Sequence, residues 1–177
     1  SVTGIRAGGF YECSLITSLT IPNSINNIGD NAFYNCNSLL SVYISDLVAW
    51  CKISFSNRYS NPLFGHGENL FLNGIVIHDL VIPSSVTTVA AFSFAGYGSL
   101  TSVSLPSSVT SIDEGAFTYC RFLNNVSISN SLSTIGKSAF SYCSSLPNIV
   151  IPNSVTYLGN YAFQGCTSLA SLTISRS

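Results

Sequence analysis

Apolar residues recur in a fixed order along most of this chain. In a representative unit, Ile149 and Ile151 are two residues apart, which places both on one face of a strand. Pro152 then ends that strand because proline has no amide proton for a strand ladder. Val155 and Leu158 predict a second short extended segment. Each unit is therefore expected to contribute two short strands.

A turn follows the second strand. Gly159 and Asn160 reverse the chain, and residues 161–163 predict a single helical or 3₁₀ turn that ends near Cys166. A small residue precedes the phenylalanine of this turn in several units and lets adjacent turns approach: Ala32, Ala116, Ala139 and Ala162.

The unit repeats with a constant period of 23 residues, which is the distance in sequence from Leu105 to Ile128 (128 − 105 = 23). The aliphatic residue that ends each predicted first strand falls at Ile21, Ile44, Ile82, Leu105, Ile128, Ile151 and Ile174. The phenylalanine of each turn falls at Phe10, Phe33, Phe71, Phe94, Phe117, Phe140 and Phe163. The step from Ile44 to Ile82 is fifteen residues longer than one period. Such a period indicates stacked units, and we expect the phenylalanines to form a buried spine.

The repeated phrase L-x-x-[VI]-x-I-P-x-S-V-x-x-I-G-x-x-A-F-x-x-C resembles the BspA-like, Treponema-type leucine-rich repeat of bacterial surface proteins. The resemblance covers nearly all of the chain and implies one repeat array over residues 1–177. The implied fold is a leucine-rich-repeat-like solenoid, mostly β with short helical or 3₁₀ turns, wound as a right-handed curved superhelix. The implied location is extracellular, on the cell surface or secreted, and the implied activity is adhesion through protein binding. The family motif is structural and implies no catalytic residue.

The fifteen extra residues lie within residues 46–79 and concentrate aromatic and charged side chains. Asn73-Gly74 between apolar runs predicts a β-hairpin, which we expect to replace the helical turn of one unit. The segment also resembles an insertion that recurs in such arrays. Two interpretations remain open: a structural module with Trp50 and Phe64 packed inward, or an interaction site. The candidate ligand-binding residues of this segment are Trp50, Phe55, Arg58 and Tyr59.

A second candidate surface is the face of the first strands that points away from the core, which the resemblance places on the concave side. Its residues alternate with the buried strand residues and are mostly Ser, Thr and Asn. They are Ser18, Thr20, Ser41, Tyr43, Asp79, Val81, Ser102, Ser104, Asn125, Ser127, Asn148, Val150, Ser171 and Thr173. The candidate ligand-binding residues among them are Tyr43, Asp79, Asn125 and Asn148. The alternative is that these hydroxyls only keep a sheet soluble.

Composition narrows the range of partners. Only 7% of residues are charged and the net charge is −1, so no basic surface for nucleic acid or anionic membrane is expected. No apolar run approaches the roughly 18 residues of a membrane-spanning helix. The chain starts at Ser1 without a signal segment, and we expect it to be part of a longer array. Uncapped ends predict self-association.

Cysteines occupy one equivalent place in five units, three residues after the phenylalanine: Cys13, Cys36, Cys120, Cys143 and Cys166. Cys51 replaces a core aliphatic residue. A repeated place in every turn favours free thiols packed in the core. Disulfides and metal ligation remain the alternatives, although the sequence contains no CxxC motif.

The sequence gives little support for a catalytic function. His78 and Asp79, with His66 and Glu68 nearby, could form a metal or acid–base set, but solvated loop residues are the favoured interpretation. No GxSxG, HExxH or phosphate-binding loop is present. We therefore expect neither catalysis nor a cofactor. The leading hypothesis is an interaction module that binds protein or glycan on host or neighbouring cells. The other is a structural spacer that projects another domain and has no ligand.

Overall fold

A computed structural model describes residues 1–65 and 69–175 and shows a mostly β solenoid. The first strand of each unit is β2 (Ser18–Thr20), β4 (Ser41–Ile44), β6 (Asn69–Leu72), β8 (Asp79–Val81), β10 (Ser102–Ser104), β12 (Asn125–Ser127), β14 (Asn148–Ile151) or β16 (Ser171–Ile174). The second strand is β1 (Gly4–Ile5), β3 (Asn27–Ile28), β5 (Ser54–Phe55), β9 (Thr88–Val89), β11 (Ser111–Ile112), β13 (Thr134–Ile135) or β15 (Tyr157–Leu158). The remaining strand, β7, spans Ile75–Val76.

Within each sheet the strands of successive units pair in parallel, so equivalent residues lie side by side, while β12 and β14 belong to different sheets. Val103 of β10 lies between Leu80 of β8 and Val126 of β12, and each of these neighbours is one period away in sequence. Val103 and Leu80 are buried, whereas Ser102 and Ser104 on the opposite face reach the surface. This alternation confirms which strand residues face the core. One short unit has no core of its own, and burial comes from its neighbours.

A spine of stacked phenylalanines runs through the turns. Ring centroids are 5.3 Å apart for Phe10–Phe33, 5.5 Å for Phe94–Phe117, 5.4 Å for Phe117–Phe140 and 5.6 Å for Phe140–Phe163. Paired rings are tilted by 8° or less. The predicted spine is thus confirmed for six of its seven members. Phe71 was wrongly included, because it lies in β6 beside Tyr43, with the two ring centroids 4.8 Å apart.

The regular turns differ from the predicted helical or 3₁₀ turn. Their backbone N–H groups alternate between the next unit and the same turn: the Phe117 N–H donates to the Ala139 carbonyl at 2.8 Å, and the Thr118 N–H donates to the Gly115 carbonyl at 3.0 Å. Residues two before and two after the phenylalanine adopt left-handed backbone, as at Gly115 (φ 59°) and Tyr119 (φ 62°). A helix has no such residues. In the described ranges, helix is confined to α1 (Leu47–Cys51) and a 3₁₀ helix at Arg58–Ser60, both in the insertion.

The repeated cysteines link neighbouring turns. Four of the five thiols donate to the carbonyl of the phenylalanine in the preceding unit: Cys36 to Phe10 at 3.1 Å, Cys120 to Phe94 at 3.1 Å, Cys143 to Phe117 at 3.2 Å and Cys166 to Phe140 at 3.1 Å. All six cysteines are free thiols. Burial raises the pKa of Cys120 and Cys143 well above the usual range of a thiol. Burial, with the nearby charge of Asp46, raises the pKa of Cys51 to about 12.

The fifteen extra residues are split among three places. Strand β4 pairs with β6 so that Ser41 lies opposite Asn69, five places beyond a regular step. Strand β3 pairs with β5 so that Asn27 lies opposite Ser54, four places beyond a regular step, so four of these five residues lie between β4 and β5, where helix α1 forms, and one lies between β5 and β6. The other ten separate Asn69 from Asp79, where β8 begins, and they build an antiparallel hairpin of β6 and β7. Asn73 and Gly74 join its strands with positive φ angles of 51° and 83°. The hairpin extends the sheet of first strands (β2-β4-β6-β7) and does not replace the turn, so its predicted location was wrong.

Both strand stacks are interrupted at this register break. Strand β7 ends one sheet (β2-β4-β6-β7) and β8 begins the next (β8-β10-β12), while β5 and β9 end two separate sheets of second strands. Ser60 occupies the place of the spine phenylalanine, since the Phe33 N–H donates to the Tyr59 carbonyl as the Phe10 N–H does to the Ala32 carbonyl. The core therefore needs other side chains here.

Side-chain donors replace the missing backbone bond at the break. In regular units the carbonyl before each phenylalanine accepts the N–H of the preceding phenylalanine, as the Ala116 carbonyl does from Phe94. The corresponding Ser93 carbonyl instead accepts the indole N–H of Trp50 at 3.0 Å and the side-chain amide of Asn61 at 2.9 Å. Asn61 also donates to the Phe92 carbonyl at 2.7 Å and accepts the Leu63 N–H at 2.8 Å. Because both side chains are buried, these bonds hold the two halves of the array in contact.

Tyr97 holds the hairpin in place through hydrogen bonds of its hydroxyl group. It occupies the place of the repeated cysteine, and its hydroxyl lies within hydrogen-bonding distance of the Leu70 and Ile77 carbonyls, one from each side of the hairpin. Burial raises the pKa of Tyr97 to about 12, so the hydroxyl remains a donor even in mildly alkaline solution. The longer side chain reaches across the extra strands where a thiol would be too short.

Replacing Phe117 by alanine should destabilise the protein by about 3–5 kcal/mol, because the ring is fully buried between two spine neighbours. Phe122→Ala is the matched control, since that ring is 60% exposed and should cost less than about 0.5 kcal/mol. Equilibrium urea unfolding measures both. Equal unfolding midpoints for the two variants would contradict the stacked spine.

Asn61→Asp should destabilise the protein by about 3 kcal/mol or more at pH 7, because a buried carboxylate would face two carbonyls without a donor. Burial raises the pKa of such a carboxyl group, so the folded state takes up a proton as the pH falls and regains one donor. The stability difference from wild type should therefore shrink between pH 7 and pH 4. Asn124→Asp, at an exposed asparagine, is the control. A difference that stays constant with pH would argue against this role of Asn61.

Thiol labelling should follow burial. At pH 8 the native protein is expected to react with a small disulfide reagent first at Cys13 and Cys166, which are half-buried, and much more slowly at Cys120 and Cys143. Unfolding in guanidinium should expose all six thiols. Mass spectrometry of quenched samples gives the rate at each residue. Native labelling of Cys120 as fast as Cys13 would be inconsistent with thiols that bond between turns.

Candidate functional site

Two of the predicted ligand-binding residues lie in the core. Trp50 is 1% exposed and Phe55 is 4% exposed, with their ring centroids 5.4 Å apart. The expectation that they lie on a surface was wrong, because the register break leaves a gap in the spine that these rings help to fill. For Trp50, the inward-packed alternative is the correct one.

Arg58 and Tyr59 do lie at the surface, on the 3₁₀ helix of the insertion. The Asn57 side chain caps this helix by accepting the N–H groups of Tyr59 and Ser60 at 2.9 and 3.0 Å. The guanidinium carbon of Arg58 lies 4.9 Å from the ring centroid of Tyr59 and 5.5 Å from that of Phe64. Arg58 also donates to the Tyr59 hydroxyl at 3.2 Å. The guanidinium group is therefore held in one orientation before any ligand arrives.

Arg58 lies in the middle of a row of aromatic rings that crosses the turns. Neighbouring ring centroids are 5.2 Å apart for Tyr11–Tyr34, 5.1 Å for Tyr34–Tyr59, 5.2 Å for Tyr59–Phe64, 5.4 Å for Phe64–Tyr119 and 4.5 Å for Tyr119–Tyr142. We call these six residues the aromatic row. All six are half-buried or exposed, unlike the buried rings at the centre of the spine. The row forms a continuous surface over several units.

Sequence reasoning missed this row. Its signal is a tyrosine next to the spine phenylalanine, but the tyrosine follows directly at Tyr34 and two residues later at Tyr119. Glycines occupy the second place in other units and leave room for rings: a Cβ at Gly96 would lie 2.7 Å from the Phe64 Cα, and one at Gly165 would lie 2.6 Å from the Tyr142 ring. The recurrence of tyrosine beside the spine was therefore hidden by a one-residue shift between units.

Two clefts share the wall formed by Arg58, Tyr59 and Tyr119. The first has a volume of about 520 Å³ and is also lined by Phe64, Arg121 and Phe122. The second, also about 520 Å³, is further lined by residues of the following turns: Glu114, Lys137, Ser138, Tyr142 and Gln164. Both volumes lie within the range of about 300–1,000 Å³ that is typical of ligand sites.

Positive charge is concentrated at these clefts. The chain has six Lys and Arg residues, and three of them, Arg58, Arg121 and Lys137, line the two clefts. Lys137 pairs with Glu114 at 2.9 Å, which raises the pKa of the lysine. Among residues 1–65 and 69–175, this is the only ion pair, so neither arginine has a carboxylate partner there. Arg121 instead lies over Tyr119, with the guanidinium carbon 5.8 Å from the ring centroid.

The strand face brings some of the other predicted residues together. Asp79, Ser102 and Asn125 lie side by side on three paired strands, and Asn148 is exposed on β14. The Asp79 carboxylate accepts the hydroxyls of Ser102 at 2.6 Å and Thr101 at 3.1 Å, which lowers its pKa. The hairpin separates this group from Tyr43 in the sheet order.

Tyr43 has an aromatic neighbour that sequence reasoning did not place on this face. Phe71 lies directly opposite Tyr43, and their rings stack at an interplanar angle of 20°. The error follows from the wrong register assigned to Phe71. The strand face therefore carries a stacked aromatic pair where a single aromatic residue was expected.

A third cleft lies beside the hairpin. It has a volume of about 600 Å³ and is lined mainly by aliphatic side chains of β6, β7, β8 and the residues between β7 and β8: Leu72, Ile75, Val76, Ile77 and Val81. Ile75 is 74% exposed. Charged and aromatic side chains are fewer here than along the aromatic row, so this cleft offers less to orient a ligand.

Only His78 and Asp79 of the histidine–carboxylate set considered above lie within the described ranges. His78 Nδ1 lies 3.0 Å from the Ser99 carbonyl. His66 and Glu68 lie outside the described residues. A group of three or more His, Cys, Asp or Glu side chains that could hold a metal ion is absent from the described residues. The described helices are also too short to cross a membrane.

Solved structures share this architecture. A leucine-rich cell surface protein of Faecalibacterium prausnitzii is 22% identical over 100% of this chain and 64% of its own, with a TM-score of 0.56. A leucine-rich repeat protein from Bacteroides ovatus is 27% identical over 99% of this chain and 54% of its own, also with a TM-score of 0.56. The pneumococcal vaccine antigen PcpA is 18% identical over 99% and 54%, with a TM-score of 0.64. This chain thus spans less than two thirds of each.

The search of curated proteins gave no match. The family assignment comes from the repeats themselves, together with the stacked strands, turns and spine described above. The model of the BspA type leucine rich repeat region matches residues 1–61 and 66–177, with six copies. The chain therefore belongs to the BspA-type leucine-rich repeat family.

Proposed function

We propose that this chain is a non-enzymatic interaction module that is displayed outside the cell and binds a protein or glycan of a host or neighbouring cell. The observation that carries the proposal is the aromatic row with Arg58 at its centre. Surface-type leucine-rich repeat proteins have interaction or scaffold roles, which agrees with this class of function. Tyrosine and arginine are the residue types that most often dominate binding energy at interfaces.

The row is suited to binding because its side chains are already ordered. Tyr59 and Phe64 contact each other edge to face, and Arg58 lies over both rings. Side chains held in this way lose little conformational freedom when a ligand binds, and this raises affinity for a given contact area. The strand face lacks such a cluster apart from Tyr43 and Phe71.

Extracellular-matrix proteins and mucin glycans, immobilised on sensor surfaces, provide the test. Binding by the wild-type chain should fall at least tenfold in Arg58→Ala, a loss of about 1.4 kcal/mol. Arg6→Ala is the matched control, because Arg6 is exposed and contacts no ring of the row, and its affinity should be unchanged. Circular dichroism melting confirms that both variants fold.

Two results would contradict the proposal. A ligand that binds equally well to Arg58→Ala would place the interaction on another surface, such as the strand face. Absence of binding to every surface tested would favour a structural spacer.

A further inference from the structure

We propose that the two clefts along the aromatic row bind an acidic glycan, a sugar chain that carries carboxylate or sulfate groups. This inference rests on the proposed function and specifies the ligand class of the same surface. It follows from three properties of the clefts: their aromatic lining, the donors of their arginines and their shared wall.

Aromatic side chains supply the first part of the site. Tyr119 and Tyr142 stack with centroids 4.5 Å apart and planes 17° apart, and Tyr142 is 39% exposed. Stacking covers one face of each ring, and a Cβ at Gly165 would lie 2.6 Å from the Tyr142 ring, so the ring edges and hydroxyl groups are the parts left to meet a ligand. Both tyrosines line the second cleft, which gives it an apolar and hydroxyl-bearing wall that suits the C–H and hydroxyl groups of a sugar.

Arginine donors supply the second part. A guanidinium group has five N–H donors in a planar fork, and Arg58 uses one of its terminal nitrogens on the Tyr59 hydroxyl. Arg121 lies over the Tyr119 ring that Arg58 also contacts, with guanidinium carbons 5.8 and 5.7 Å from its centroid. Neither has a carboxylate partner among the described residues. A planar fork matches a carboxylate or sulfate group through paired hydrogen bonds.

The balance of charge favours an anion. Arg58, Arg121 and Lys137 line the two clefts together with one carboxylate, Glu114. The net charge of the described lining residues is therefore +2, from three positive groups and one negative group, in a chain whose net charge is −1. Asp30 lies beside this lining, where its carboxylate accepts a hydrogen bond from the Asn57 amide at 3.2 Å, and the described groups still sum to +1 when it is counted. An acidic ligand would compensate this positive charge, whereas a neutral sugar would not.

The shape of the site favours a chain of sugars over a single residue. The two clefts of about 520 Å³ meet at Arg58, Tyr59 and Tyr119, so one ligand can occupy both and contact this wall from each side. In the second cleft, Ser138 and Gln164 are polar side chains placed to contact sugar hydroxyls. Arg121 and Phe122 lie at the far side of the first.

The experiment is isothermal titration calorimetry with four acidic hexasaccharide preparations and one neutral control. Hyaluronan carries carboxylates only, chondroitin sulfate and heparin carry both groups, and a sulfated galactan carries sulfates only. The neutral control is a chitin hexasaccharide. At least one acidic probe should bind at least tenfold more tightly than the chitin probe, and its affinity should fall as salt rises. Comparison of hyaluronan with the sulfated galactan identifies which anion is recognised.

Variants locate the binding. Arg58→Gln should lower the affinity for the acidic probe at least tenfold, while Arg58→Lys, which keeps the charge but loses the fork, should lower it less. Arg121→Gln should lower it severalfold. Arg6→Gln is the matched control and should leave the affinity unchanged, because Arg6 lines neither cleft. Thermal melting of each variant shows whether the fold is retained.

Several outcomes would overturn this inference. They are equal affinity for the neutral and acidic probes, acidic binding that Arg58→Gln leaves unchanged, and no binding of any acidic probe at millimolar concentration. If a protein ligand binds in an Arg58-dependent way and no acidic glycan does, this inference fails and the proposed function stands. If neither proteins nor glycans bind, both fail.

Discussion

The backbone hydrogen bond from each spine phenylalanine to the next unit determines how the turns stack. The Phe94 N–H donates to the Ala116 carbonyl at 2.9 Å, and the Phe117 N–H donates to the Ala139 carbonyl at 2.8 Å. Because the same residue makes the bond in every regular unit, the rings repeat at about one spacing and with nearly parallel planes. A left-handed residue on either side turns the intervening N–H groups back into their own unit. The cysteine thiols add a side-chain hydrogen bond to these backbone bonds, as Cys120 and Cys143 do.

The candidate site exists because the backbone hydrogen bond between turns is absent at one junction. Ser60 replaces a phenylalanine, and the Ser93 carbonyl accepts Trp50 and Asn61 in its place. Asn61 follows the 3₁₀ helix directly, so the bonds that repair the core also fix the segment that presents Arg58. Fold and surface are therefore linked through buried polar groups: a change at Asn61 would alter both the junction and the position of the guanidinium group.

Much of the array could be predicted from periodicity alone. The constant period correctly placed six spine rings and the inward and outward residues of the strands, because every regular unit has the same neighbours. It failed at Phe71, where equal spacing in sequence did not mean equal position in space. Composition could not show that Trp50 is buried, since an aromatic residue in an irregular segment suits a core as well as a surface. The aromatic row depends on contacts between units, and no single unit contains its pattern.

The repetition of the junction has an evolutionary consequence. The turn of each unit between Phe94 and Phe163 makes the same backbone bonds to the turn that follows it, so duplication or deletion of one whole unit there keeps these turn bonds matched. Each such event would change the length of the array by one strand spacing, about 4.8 Å. Recombination near Ser93 has a different result, because it would separate the Ser93 carbonyl from Trp50 and Asn61, the two side chains that donate to it. The lineage can thus vary the length of the array by copying regular units, while the irregular junction must be inherited as one piece.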